Sequence, residues 1–217
     1  MRFLAITDIH GRTNVVNKLK GVIKNNIDYV IVAGDITHFG SLAEALRILS
    51  SLAEIAPVLF VPGNCDPPEL LRHNSFNGDI YNVHNKVIQV NEYSIYGIGG
   101  SIITPFNTFI EYREDELTKF LSQLKEIDPS KTIIVTHNPP YGILDRTFSG
   151  IHAGSKVFRE FLEEKKPLLW ITGHIHEAQG VEKINGTTII NPGPLFKRYY
   201  ALITIEKNTI DVNIKRF

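Results

Sequence analysis

Short apolar runs and amphipathic stretches alternate along the first third of the chain. Residues 2–7, RFLAIT, are apolar almost throughout, as a strand covered on both faces must be. Residues 13–26 then place Val15, Val16, Leu19, Val22 and Ile23 on one stripe at helical spacing. DYVIVAG (28–34) reads as a second strand, SLAEALRILSSLAEI (41–55) as a second helix, and PVLFVPG (57–63) as a third strand. Ser41 and Glu44 have the spacing of a capping box at the start of that second helix. Strands separated by helices of this length predict βαβ units and a parallel sheet.

The middle of the chain changes character. KVIQVNEYSIYGIGG (86–100) reads as two short strands joined at Asn91-Glu92, followed by a helix at about 113–126 and a strand, KTIIVT, at 131–136. Residues 138–153 are irregular and rich in Pro and Gly; a helix at 154–165 and a strand, PLLWIT, at 167–172 restore the βα pattern. From Gly180 onward the pattern is that of a β meander, with turns at Asn185-Gly186 and Lys207-Asn208. No repeat, low-complexity stretch or linker interrupts the chain, so residues 1–217 read as one domain with two sheets flanked by helices.

Composition narrows the function. A chain of 217 residues, 43% hydrophobic, suits a sizeable core. Its 23 basic and 23 acidic residues cancel, which weighs against nucleic acid as a partner, because phosphate neutralisation supplies much of that affinity. The one cysteine cannot form an intrachain disulfide and suits a reducing, cytoplasmic setting. The first residues, MRFLAITDIHG, lack a signal-peptide h-region, and no apolar run approaches the roughly 20 residues that span a bilayer, so no membrane partner is expected.

The chemistry gathers where the strands stop. The five main strands end at Asp8-Ile9-His10, Asp35, Asn64-Cys65-Asp66, His137-Asn138 and His174-Ile175-His176. In a parallel sheet the carboxyl ends lie along one edge, where ligands bind. A single His or Asp at a strand end is an ordinary cap or turn residue, but the same outcome at every strand end is not. Asp8, His10, Asp35, Asn64, His137, His174 and His176 form a mixed oxygen and nitrogen donor set of the kind borderline divalent ions prefer. That is too many ligands for one tetrahedral ion, and it suits two ions about 3.5–4 Å apart. Residues two apart on a strand face the same side, which would let Asp8 act with His10, and His174 with His176. His38, His73 and His84 fit no such pattern and read as ordinary surface or core histidines.

With Asp8-Ile9-His10, Gly34-Asp35, Gly63-Asn64, His137 and Gly173-His174-Ile175-His176 in this order, the chain resembles the calcineurin-like metallophosphoesterase superfamily. The resemblance implies an α/β fold, a four-layer α/β/β/α sandwich, and a binuclear metal centre. In it Asp8, His10 and His176 would hold the first divalent ion, Asn64, His137 and His174 the second, and Asp35 would bridge them. It further implies a hydrolase, a phosphodiesterase or a phosphomonoesterase, in which a metal-bridging hydroxide attacks phosphorus in a small phosphoester substrate; the reading taken here is a phosphodiesterase. Manganese heads the ions such sites take, with iron, nickel, cobalt and zinc after it.

One position departs from the commonest form of this pattern. Many members carry a histidine after the Gly-Asn pair that protonates the leaving group, and here Cys65 stands there. Cys65 reads as a covalent nucleophile, as a proton donor or substrate contact, or as packing; a thiol with a pKa of about 8.5 is a poorer acid than imidazolium. His152, in the irregular SGIHAGS stretch, could reach the crevice and donate the proton instead, or could be a helix-entry residue. Arg12, next to the first block, could bind a phosphate oxygen or be a surface charge, and NPGP at 191–194 reads as a turn near the site. The rival function is a catalytically weak scaffold or binding protein on the same fold. A large exposed apolar patch would support that rival, and a wet polar cleft would support the enzyme.

Overall fold

The apolar runs of the first third become parallel strands. In the computed structural model, β1 (Arg2–Ile6), β2 (Tyr29–Ala33) and β3 (Val58–Val61) pair in parallel, with Leu4 opposite Val30 and Val32 opposite Phe60. The structure describes residues 1–217 apart from Asn25, His73, Asn74, Asn77, Lys125 and Asn208, and for Ser75 and Phe76 the backbone alone. His73 and the second residue of the expected Lys207-Asn208 turn therefore lie outside the described residues. α1 (Thr13–Val22) and α2 (Leu42–Ala53) connect the strands. The Ser41 hydroxyl accepts from Glu44 N at 3.2 Å, so one half of the expected capping box forms.

The second half supplies β6 (Val87–Val90) and β7 (Tyr93–Ile98), α3 (Glu114–Leu121), β10 (Thr132–Thr136), α4 (Lys156–Lys165) and β11 (Leu169–Ile171). Four short strands went unread in the sequence: β4 (Ser75–Phe76), β5 (Ile80–Asn82), β8 (Ser101–Ile102) and β9 (Glu111–Tyr112). Runs of two or three residues are too short to show a period.

The expected meander divides between two sheets. β12 (Gly180–Ile184) and β13 (Thr187–Asn191) form a hairpin, but β13 also lies parallel to β11. β14 (Tyr199–Glu206) and β15 (Thr209–Arg216) form a second hairpin that pairs antiparallel with β1. Burial explains the split: β13 is buried along its whole length, as an interior strand must be, whereas β15 is half-exposed at an edge. The orders are β15-β14-β1-β2-β3-β5-β4 and β12-β13-β11-β10-β7-β6, with β8-β9 as a separate ribbon.

Three apolar clusters hold these layers together. Leu19, Ile48 and Leu52 of the first two helices pack on Leu4, Val32 and Phe60. Phe3, Ile31 and Leu59 meet Ile133, Ile171 and Ile190 between the sheets. Leu117, Phe158 and Leu162 of α3 and α4 cover Tyr96, Ile134 and Trp170. The result is helix, sheet, sheet, helix: the four-layer α/β/β/α sandwich.

Candidate metal centre

Each of the expected ligands sits just past the carboxyl end of a strand or in the loop that follows it. Asp8 and His10 follow β1, Asp35 follows β2, Asn64 follows β3, His137 follows β10, and His174 and His176 follow β11. Strand alternation is not what aims them. Asp8, His10, Asp35 and His174 adopt left-handed backbone, at φ of 52°, 48°, 50° and 68°. Non-glycine residues in that region carry strain, and such strain collects at functional sites. The expectation that period-two geometry pairs Asp8 with His10 is corrected here: both lie beyond β1, and Ile9 N and His10 N donate to Asp35 O at 2.8 and 2.9 Å. The first ligand loop thus hangs on the second.

Asp8, His10 and His176 form one set. His176 Nε2 lies 3.2 Å from Asp8 Oδ1 and 3.2 Å from His10 Nε2, and His10 Nε2 lies 3.9 Å from Asp8 Oδ1. Donor atoms about 2.0–2.2 Å from one ion are about 3.0–3.6 Å from one another. Both separations from His176 fall in that range, and the His10–Asp8 separation lies just beyond it. The other carboxylate oxygen, Asp8 Oδ2, accepts from Thr7 Oγ1 at 2.9 Å and His174 N at 3.2 Å, which leaves Oδ1 turned toward the imidazoles.

His137 and Asn64 form the second set. His137 Nδ1 donates to Ala33 O at 2.8 Å, which fixes the ring. Its Nε2 then faces Asn64 Oδ1 at 2.9 Å and Asp35 Oδ1 at 3.4 Å. Asn64 is oriented as well, because its Nδ2 donates to Thr108 Oγ1 at 2.9 Å. His174 lies beside this set, its ring edge-on to His137 at 4.9 Å between centroids. Asp35 spans both sets: Oδ2 is 3.6 Å from His10 Nε2, while Oδ1 faces His137. Lone pairs converge on both positions, and a cation is what such a donor set accommodates.

The electrostatics follow from this crowding. Burial pushes the His137 imidazole down, but Asp35 and Asp8 outweigh it and carry the group up to about 9. Burial alone would raise Asp35; His137 and His10, with the Cys65 N–H, hold it well below the usual carboxylate range. Asp8 is likewise lowered against burial, chiefly by His176. His174 falls to about 4 through burial and the neighbouring His137.

Asp66, absent from the sequence-based site, braces this arrangement. Its buried carboxylate accepts from Ile36 N at 3.0 Å, Thr37 N at 2.7 Å, Thr37 Oγ1 at 2.9 Å and Gly63 N at 2.8 Å. It therefore ties the Asp35 loop to the Asn64 loop. Burial and then Asp35 push its pKa up to about 6. Gly63 is required by close approach, since a Cβ there would overlap the Asp35 carboxylate.

The three remaining expected residues fall differently. Cys65 is buried, and its backbone N–H donates to Asp35 Oδ1 at 2.9 Å. Burial first, then Asp35 and Asp66, push the thiol upward, so the thiolate that a covalent nucleophile needs is disfavoured. His152 Nδ1 lies 2.6 Å from Asp145 Oδ1, its Nε2 faces Arg146 Nη2 at 3.4 Å, and its ring borders the same cleft as His174. Arg12 is exposed and borders a concavity of about 260 Å³ with His10, His38, His176 and Phe196.

His38 and Phe196 went unrecognised in the sequence. The His38 ring stands 5.2 Å from that of His10, and the donor atoms of His10, His38 and Cys65 lie within 4.8 Å of one another. Phe196 packs on His10 and His176 at 5.5 and 5.0 Å, delivered by the NPGP turn, where Leu195 N donates to Thr7 O. His38 offered a signal, lying three residues beyond Asp35; Phe196 offered none. His84 is a buried histidine whose Nδ1 accepts from Gly99 N.

Residues 1–178 match the calcineurin-like phosphoesterase family, and the chain belongs to that family. Protein MJ1162 of Methanocaldococcus jannaschii is 36% identical over 217 residues, covering 97% of this chain and 94% of its own. The crystal structure of TT1561 of Thermus thermophilus has a TM-score of 0.74 at 20% identity, covering 98% of this chain and 97% of that one. A dimetal phosphatase from Danio rerio has a TM-score of 0.70 at 13% identity, covering 100% of this chain and 96% of that one. The family makes the chain a metal-dependent phosphoesterase that takes divalent ions. No helix among the described residues is long and apolar enough to cross a membrane.

Proposed function

We propose that the protein is a phosphodiesterase with a binuclear centre, in which Asp8, His10 and His176 hold one divalent ion, Asn64, His137 and His174 hold the other, and Asp35 bridges them. The observation that carries this reading is Asp35, whose two oxygens face separate imidazoles at 3.6 and 3.4 Å. When bound, the ions supply an activated water and neutralise charge on the phosphoryl oxygens. Manganese is the first candidate, because hard carboxylate and amide oxygens accompany the imidazoles. The Ala33 carbonyl keeps His137 Nε2 on the site side, and Thr108 does the same for Asn64 Oδ1. Arg12, beside His10 and His176, would bind a phosphoryl oxygen. His152, held by Asp145, would give the leaving oxygen its proton from a protonated Nε2 released from Arg146, a role for which the raised Cys65 thiol is poorly suited. A reducing cytoplasm is the setting that suits the lone, unpaired Cys65.

The test is a panel of aryl phosphodiesters and monoesters assayed with each of several divalent ions. Asp35→Asn should lower diester hydrolysis by at least about a hundredfold, in line with the loss of a charged group from a metal site. Activity that survives the substitution would remove the reading. His152→Ala should shift the basic limb of the pH–rate profile, and an unchanged limb would return the proton donor to another group.

The scaffold reading draws on one observation. Phe106 is 78% and Phe148 96% exposed, and exposed apolar clusters of this kind often mark docking surfaces.

A further inference from the structure

The exposed apolar residues are not scattered over the surface. Ile103 and Phe106 from one loop, and Phe148 and Ile151 from another, line a cleft of about 680 Å³ that His174 also borders. Ile103 and Ile151 are 63% and 65% exposed, so the four side chains stand open to solvent instead of filling a core.

Both loops that line the cleft are hydrogen-bonded to segments that carry candidate metal ligands. The loop that supplies Ile103 and Phe106 continues to Phe109 N and Ile110 N, which donate to Asn64 O at 2.9 and 3.2 Å, and to Thr108, which holds the Asn64 amide. On the other loop, Phe148 N donates to Glu177 Oε1 at 2.5 Å, one residue beyond His176. The Thr147 to Ile151 turn is closed by Thr147 N to Ile151 O at 2.9 Å, which keeps Phe148 projecting. A surface patch used only for docking has no need of such ties to the catalytic loops.

The lining also limits what can enter. No lysine or arginine borders the cleft among the described residues, so it is not a second phosphate site. Its one carboxylate, Glu177, already accepts the Phe148 N–H. The volume falls in the range of small-molecule sites, about 300–1,000 Å³.

We propose that this cleft is a subsite for an uncharged, apolar ester group carried on the phosphorus of the substrate, with His174 at the junction between that group and the metal centre. The inference rests on the phosphoesterase reading and adds the substrate class: phosphodiesters with one alkyl or aryl substituent large enough to reach Phe106 and Phe148.

A homologous series of p-nitrophenyl alkyl phosphates, methyl to octyl, tests it on the metal-loaded protein. Full burial of a methylene corresponds to about a fourfold gain in affinity, so partial burial in an open cleft should lower KM about twofold per methylene. Phe106→Ser and Phe148→Ser, both at exposed positions where folding is not at stake, should flatten that dependence. Hydrolysis with a KM that ignores chain length would overturn the subsite and leave the phosphoesterase standing. No hydrolysis of any member would overturn the phosphoesterase. In that case calorimetric titration with octyl and methyl phosphonate decides the subsite: tighter octyl binding with a more negative heat-capacity change retains it, and equal binding removes it.

Discussion

Asp66 carries more of the site's geometry than any residue that could touch an ion. Four donors from the Asp35 and Asn64 loops converge on its carboxylate, and all of them are buried. In Asp66→Asn an amide N–H₂ must face backbone N–H groups, so at least one pairing is lost and a donor meets a donor. We expect a loss of roughly 3 kcal/mol in stability, read from the urea midpoint at constant m. Divalent-ion affinity should fall by about 10–100-fold, as it does when groups that orient ligands are removed. A destabilised protein with unchanged ion affinity would show that Asp66 does not position Asp35 and Asn64. The seven candidate ligands were legible in the sequence because their chemistry is written in their side chains and their places at strand ends. Asp66 was not, because its partners are backbone groups that come together only on folding. The left-handed backbone at Asp8, His10, Asp35 and His174 was hidden for the same reason. The gathering of these candidates at the strand ends was thus read with a wrong cause for their aim.

Among the elements, long periodic segments were legible and short ones were not. α2 and α4, and the strands β1, β2, β3, β10 and β11, occupy the stretches that their apolar spacing marks, while α1 ends at Val22, inside the stretch read for it at 13–26. The helix expected at about 113–126 ends as α3 at Leu121 and tightens into a 3-10 turn over Ser122–Leu124. The division of the C-terminal strands between two sheets was invisible, because pairing partners such as β1 with β14 lie some two hundred residues apart and leave no local mark. The α2 cap provides a test at this scale. The Ser41 hydroxyl accepts from Glu44 N, and Ser41→Ala should cost about 1 kcal/mol, a fall in Tm of about 2–4 °C for a chain of this length. Ion affinity should not change, because α2 starts seven residues beyond Asp35 and the cap touches no candidate ligand. Calorimetric scanning with a parallel ion titration separates the two effects. A large drop in ion affinity would mean that the Asp35 loop is held by the helix as much as by Asp66.

Over the whole molecule, the buried carboxylates and imidazoles make ion binding, protonation and stability one problem. In the ion-free protein Asp35 and Asp8 carry His137 from an ordinary 6.5 up to about 9. A group with a raised folded pKa contributes stability that is present in full below its unfolded value and is lost as pH rises through the folded one. The His137 contribution to the ion-free fold is therefore complete below about pH 6.5 and fades as pH climbs toward 9. In the proposed centre a divalent ion would take the place of that proton on His137. His174, near 4, is already neutral and does not compete, whereas His176, raised by Asp8, does. Apparent ion affinity should accordingly rise with pH across this window, and each ion bound should release protons. Thermal unfolding with and without manganese measures both. Saturation at a hundred times Kd adds about 2.7 kcal/mol per site, or about 5–11 °C in Tm. The shift produced by a fixed ion concentration should widen from about pH 6.5 toward 9, as the ion-free protein weakens and proton competition is relieved. A shift that narrows over the same interval would mean that His137 holds no proton for the ion to displace.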